Sequence, residues 1–438
     1  SVNILDGTAP TVQISIGEIT KTSIAVSVTA NDGQSGLATS NTYKYYLNSE
    51  LKQTTTETSY TFTGLIPETS YEIKVEAYDK ANNKGTDTEN VETEGHAWDL
   101  NKVNPEISDD SITVPVPKGY TASDATGERS VNDGFVIYEG TEEVNDGNVD
   151  TAKTTRNQFV WIPVPDISQI ANQTSGTDGN GRQNYQGKLY DFSSTGVKEM
   201  TSYGQGTKSF REPDVVTGSD GTDYDKDQQY VKTILGLANS DALKTQLQEE
   251  FNEMIASVDT YGGFYIGRYE TGNLASNTNT KPVVVKGNKD ISNVNWYYMY
   301  QNSKKVAANN NVVSTMIWGS MWDRALIWLT ETGEKTYEEI TNSTTWGNHS
   351  NSTGAAATNS GSRQPTGTNE AWKANNIYDL AGNVDEWTIE ASYTRGRVIR
   401  GGKFYYSGSH YPSSYRYDEY PSNTGSYDGT RLAFYVAL

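Results

Sequence analysis

Apolar and polar residues alternate with a period of two at the start of the chain, where Val12, Ile14 and Ile16, then Ile24, Val26 and Val28, sit between polar neighbours. That spacing puts one face of each strand in a core and the other in water. The same alternation returns from Tyr71 to Asp79 after a turn at Leu65 to Ser70. The first domain is therefore expected to be all β. Strand-like pieces follow at 112–117, 134–138 and 157–165, the last ending in Trp161-Ile162-Pro163-Val164-Pro165, with turns rich in Gly, Asp and Asn between them. The period then changes. Leu243, Leu247, Phe251 and Met254 fall on one helical stripe, which predicts a helix over 241–258 capped by Ser240 or Asp241. Two more helices are expected, around 294–306 and around 320–329, the latter carrying Met321, Trp322, Ala325, Leu326 and Leu329. Trp318, Trp322, Trp328 and Trp387 are expected in the core. The glycine-rich insertions at 171–228 are polar, and the Asn, Ser, Thr and Gly tract at 341–369 is read as a long surface loop with too little apolar area for a core of its own.

The stretch Leu65-Ile66-Pro67-Glu68-Thr69-Ser70-Tyr71 and the alternation after it resemble the fibronectin type III signature, in which the first Tyr of the strand anchors a corner through its hydroxyl. Residues 1–95 are accordingly assigned to an all-β fibronectin or immunoglobulin-like sandwich. Its expected role is a spacer, with adhesion through its loops as the other reading.

Composition narrows the chemistry. With 438 residues the chain needs more than one core. A formal net charge of −20 repels phosphate backbones, so no nucleic-acid partner is expected. No apolar run approaches the length of a membrane span, and Ser1 to Pro10 has no basic start followed by an apolar stretch, so membrane insertion is not expected either. The absence of cysteine excludes disulfides, thiolate metal sites and cysteine nucleophiles. His96, His349 and His410 are scattered, and no histidine triad is legible.

Four motifs occur in order: Phe159-Val160-Trp161-Ile162-Pro163, Gly263-Phe264-Tyr265-Ile266-Gly267-Arg268-Tyr269-Glu270, the run from Asn376 to Thr388, and Arg397-Val398-Ile399-Arg400-Gly401-Gly402. Together they resemble the formylglycine-generating-enzyme family. The resemblance implies a multidomain chain in which residues 96–438 form an α+β, C-type-lectin-like domain of the formylglycine-generating-enzyme type. Catalytic members of that family hold copper with a pair of cysteines, so this chain is not expected to be an enzyme, and no catalytic residue is assigned. Family members also bind a structural calcium ion. The matching positions are the side chains of Asp379 and Glu386 and the carbonyls of Gly382 and Val384, oxygen ligands that a hard cation prefers. A tight turn with solvated carboxylates would read the same way.

After Lys403 the chain changes character. Phe404, Tyr405, Tyr406, Ser409, His410, Tyr411, Ser414, Tyr415, Tyr417, Asp418, Tyr420, Tyr427 and Asp428 crowd together, with Gly408, Pro412, Pro421 and Gly425 among them. Tyr brings large amphipathic area at low rotamer cost, and Ser or Gly leaves room around it, as in antibody paratopes. Tyr, Ser, Asp, His and Phe are also the residues reached when adenines of asparagine codons are replaced. The frame of Arg400-Gly401-Gly402 and Gly429 to Val436 resembles the variable proteins of diversity-generating retroelements, phage receptor-binding proteins included. The resemblance implies a variable binding segment over 397–438 that recognises a protein or glycan receptor from an extracellular position, on a phage tail or a bacterial cell surface. A fixed carbohydrate-binding or structural surface is the alternative.

Overall fold

The computed structural model describes residues 6–200, 210–216, 228–275, 281–288, 291–292, 294–307, 309–392 and 396–438. Part of the insertion predicted at 171–228 lies outside them, whereas the helix expected around 294–306 is observed as Trp296–Ser303. The chain divides into two compact units at Ala97/Trp98, and each is described separately.

In the first unit the alternating segments form two antiparallel sheets. One has three strands, Thr11–Ile19, Ser23–Asn31 and Ser59–Thr63, and the other orders Glu50–Thr55, Tyr43–Leu47, Ser70–Tyr78 and Lys84–Glu92. Ile14, Ile24, Val26, Phe62, Ile73 and Val75 meet in one core. The Tyr71 hydroxyl accepts the Ile66 backbone N–H at 2.8 Å, closing the corner five residues upstream. Tyr71→Phe removes that acceptor and leaves a part-buried donor unpaired. It is expected to cost this unit about 1 kcal/mol in a urea titration, with the transition of residues 98–438 unmoved.

The second unit is built on a six-stranded sheet ordered Tyr120–Ala122, Val136–Glu139, Gln158–Pro163, Gly263–Gly267, Leu432–Val436 and Val312–Met316. Both of its faces are buried, which is why its strands carry apolar residues without strict alternation. Val160, Ile162, Phe264 and Ile266 join Leu247, Phe251, Met254 and Val258 of the helix Ser240–Tyr261 in one cluster. Phe159, Trp161, Tyr265, Leu432 and Phe434 point into the other. Trp318, Trp322, Trp328 and Trp387 are all buried in the first cluster.

Three expectations change. The long helix is capped by Asn239, whose Oδ1 accepts the Ala242 N–H at 2.9 Å, rather than by Ser240 or Asp241. Within the insertion at 171–228, backbone pairing makes two hairpins, Ala171–Thr177 with Gln183–Gly187 and Tyr190–Ser193 with Gly196–Glu199. The tract at 341–369 is not simply a surface loop: it buries Trp346, Asn348, His349 and Ala356, and Asn348 is held by bonds such as Nδ2 to Asn383 Oδ1 at 3.0 Å. Polarity misleads there because buried amides serve as struts once every donor has an acceptor.

Candidate functional site

The C-terminal segment is carried by a second sheet. Asp385–Ser392 pairs with Arg397–Arg400, which pairs with Tyr417–Glu419, and Asp428–Thr430 runs parallel to Asp385–Ser392 on its other side. Leu432–Val436 then enters the six-stranded sheet, so the segment is fastened at both ends. Gly402 (φ +72°) permits the turn that begins it; a Cβ there would lie 2.3 Å from the Tyr411 carbonyl oxygen.

Seven of the predicted contact residues come together as one continuous row of rings. Tyr427 packs edge-on against Phe404 at 5.1 Å, Phe404 against Tyr405 at 5.1 Å, and Tyr405 against Tyr406 at 4.5 Å. Tyr406 stacks on Tyr411 at 4.3 Å, Tyr411 meets Tyr415 at 4.8 Å, and Tyr415 lies parallel to Tyr417 at 6.4 Å. Tyr405, Tyr417 and Tyr427 are exposed and the other four half-buried. Beside the row, Ser407, Ser409 and His410 share hydrogen bonds on an exposed loop. Rings that brace one another present area whose ordering cost is already met, which suits a recognition surface.

Other predicted contacts serve the underside. Asp428 is buried at 6% exposure, and with Asp385 it holds Lys403 Nζ, at 3.3 Å and 2.6 Å. The Ser414 hydroxyl donates to the Ile340 carbonyl at 3.0 Å. Asp418 is half-buried and accepts the Ser392 hydroxyl at 3.0 Å, and Tyr420 is half-buried.

Below the rings lies a charged layer the sequence reading missed. Arg400 donates to Asp323 Oδ1 at 2.9 Å, and Arg416, placed between Tyr415 and Tyr417, pairs with both Asp323 and Glu390, the latter at 2.9 Å. Lone arginines among tyrosines were the available signal, but their acidic partners are far away in sequence. Glu212 sits next to this layer and accepts the Gly319 and Ser320 N–H groups at 2.7 and 2.8 Å at the start of the helix Gly319–Glu331. Burial, with Glu390 nearby, pushes its carboxyl up to about 8. The folded chain thus keeps this proton over a pH range where the unfolded chain has lost it. Stability is expected to fall as pH rises from about 4.5 to 8, by up to about 1.4 kcal/mol per unit from this group. Glu212→Gln should flatten that slope in denaturant titrations at pH 5, 6.5 and 8; equal slopes would mean Glu212 is ionised when folded.

Of the groups matched to calcium, the Asp379 and Glu386 side chains are both buried. Asp379 Oδ2 accepts Thr366 Oγ1 and the Gly367 N–H, both at 2.8 Å, while its Oδ1 has no hydrogen-bond partner among the described residues. Glu386, however, is occupied by Arg431: Nε meets Oε2 at 3.0 Å and NH2 meets Oε1 at 2.6 Å. The amides of Gly382 and Val384 bond to the Gly401 carbonyl and to Glu270 Oε1. Buried Glu270 is raised above the usual carboxylate range by desolvation and by the charges of Asp379 and Glu386. A carboxylate oxygen carries two lone pairs, so each Glu386 oxygen keeps one beyond its bond to the guanidinium. Among the described residues, the acidic grouping with metal-like spacing is Asp6, Asp32 and Asp79 in the first unit.

Comparison with known proteins places a fibronectin type III domain at residues 8–94. No curated protein matches the chain. Among solved structures, Treponema denticola variable protein 1 aligns at 19% identity and TM-score 0.28, over 39% of this chain and 84% of that one. PvdO from Pseudomonas aeruginosa aligns at 14% identity and TM-score 0.26, over 41% and 82%. A family 28 exopolygalacturonase from Yersinia enterocolitica aligns at 16% identity and TM-score 0.18, over 20% of each chain, so this chain spans one fifth of that enzyme's length. At such TM-scores these likenesses carry no weight for the fold or the function.

Proposed function

We propose that residues 98–438 form a non-catalytic binding module of the C-type-lectin-like, formylglycine-generating-enzyme type, a variable protein diversified by a retroelement and displayed on a phage tail or a bacterial surface. The fibronectin type III domain at residues 8–94 would serve as its spacer. One observation carries the reading: Phe404, Tyr405, Tyr406, Tyr411, Tyr415, Tyr417 and Tyr427 form an unbroken ring surface while Arg400, Arg416 and Asp428 beneath them are committed to buried ion pairs. Contact residues and supporting residues are thereby different sets. Exchange at the rings leaves the support in place, which is what a diversified surface requires. Recognition would rest on aromatic anchors that fill pockets on the partner. No step of it uses a metal ion.

The test is to sequence the source genome downstream of the Leu438 codon. A near-copy of the region from Arg397 to Leu438 is expected beside a reverse transcriptase, with differences confined to adenines of the copy and falling on the ring positions. Absence of the copy, or differences falling on Arg400, Arg416 or Arg431, would overturn the variable reading in favour of a fixed surface.

A further inference from the structure

The ring surface is uneven in charge. The described cations of the C-terminal segment are Arg397, Arg400, Lys403, Arg416 and Arg431, and all of them are buried or half-buried. Arg397 bonds to the carbonyls of Asp214 and Ile389, Arg400 and Arg416 pair with Asp323, and Arg431 pairs with Glu386. Lys403 is held between the carboxyl groups of Asp385 and Asp428. At one end of the row Arg363 reaches the Ser426 carbonyl at 3.4 Å, which puts a positive charge near Tyr427. The other end, from Tyr411 to Tyr417, runs into half-buried Glu419, while Asp418 between them accepts the Ser392 hydroxyl on the underside. There the rings of Tyr415 and Tyr417 stand 14° from parallel with centroids 6.4 Å apart. Two nearly parallel rings side by side each offer a face on which a flat cation can stack.

We propose that the Tyr411 to Tyr417 end of this face receives an arginine-bearing segment of a partner protein, with a guanidinium seated against the rings of Tyr415 and Tyr417. The proposal rests on the reading of the face as a binding surface and adds the chemistry of its partner. A guanidinium is planar, weakly hydrated and stacks on aromatic faces, whereas an ammonium is a compact, strongly hydrated charge. The negative faces of the tyrosine rings, the adjacent Glu419 carboxylate and a chain of net charge −20 all favour a cation over an anion.

The experiment uses the full chain and three labelled peptides of equal length, in which serine alternates with arginine, with lysine or with glutamate, followed by fluorescence anisotropy at physiological salt. The arginine peptide is expected to bind about tenfold more tightly than the lysine peptide, and the glutamate peptide not at all. The double variant Tyr415→Ala, Tyr417→Ala, shown to be folded by unchanged thermal transitions, should lose that preference; Tyr417→Ser alone, at an exposed position, gives the same readout with less risk to folding. Equal binding of the arginine and lysine peptides, binding of the glutamate peptide, or an unchanged preference in the ring variants would overturn the proposal. A random-peptide library panned against both chains separates the two readings. Neutral peptides lost with the rings would keep the binding face and remove the basic partner, and peptides indifferent to every ring substitution would remove the face itself.

Discussion

Arg431→Met is expected to lower the stability of residues 98–438 by about 3–5 kcal/mol, the scale set by leaving one partner of a buried ion pair uncompensated. The Arg431 side chain is fully buried and uses all three guanidinium nitrogens: two bonds go to Glu386, one to the Gly267 carbonyl at 2.8 Å and one to the Tyr378 carbonyl at 2.9 Å. Those acceptors come from the strand Gly263–Gly267, the strand Ile377–Tyr378 and the strand Asp385–Ser392, so one side chain ties the six-stranded sheet to the sheet that carries the rings. Methionine fills the space but pairs with nothing, and Glu386 must then take up a proton or draw in water. The second variant, Arg431→Met with Glu386→Leu, removes both charges and should recover most of the loss, because an apolar pair of similar volume has no buried ion to solvate. Urea denaturation followed by tryptophan fluorescence measures both, since all nine tryptophans lie within residues 98–438. A loss under 1 kcal/mol in the single variant, or no recovery in the double one, would mean the junction is held by packing alone.

The strands of both units were legible because their cores impose period two or continuous apolar runs, and the helix Ser240–Tyr261 because Leu243, Leu247, Phe251 and Met254 repeat at helical spacing. The ring row was legible as well, since composition alone separates Phe404 to Tyr427 from the rest of the chain. Which of its residues face outward was not. Asp428 reads as a contact residue in a tyrosine-rich segment, and only the pairing of Asp385 with Asp428 across a parallel ladder turns it inward onto Lys403. Glu386 likewise reads as a cation ligand, and its pairing with Arg431, 45 residues away, shows only in the fold. Ion pairs of such sequence separation leave no local pattern. Periodicity reports which face of an element is buried, and it is silent on which distant charge waits there.

Asp323→Asn tests how far the charged layer reaches the rings. One carboxylate on the helix Gly319–Glu331 receives Arg400 at Oδ1 and Arg416 at Oδ2, and its Oδ2 also accepts the Tyr190 N–H at 2.8 Å. Asparagine preserves the shape and one acceptor but removes a charge that two fully or nearly fully buried guanidiniums share, leaving Glu390 as the remaining carboxylate in contact with both. The expected cost is again about 3–5 kcal/mol. Part of it should return at higher pH, because an uncompensated cation favours ionisation of nearby Glu212, whose carboxyl otherwise stays protonated up to about 8. The loss should also be local in its dynamics. Arg416 is covalently next to Tyr415 and Tyr417, so loosening it frees the end of the row proposed to receive a partner, while the Tyr427 end stays tied through Lys403, Asp385 and Asp428. Hydrogen exchange should therefore speed up across 411–420 and remain as in the parent chain across 426–436 and 8–94. Uniform acceleration of the whole second unit would show that Asp323 holds the fold and not the face, and unchanged exchange at 411–420 would remove the charged layer as the support of the rings.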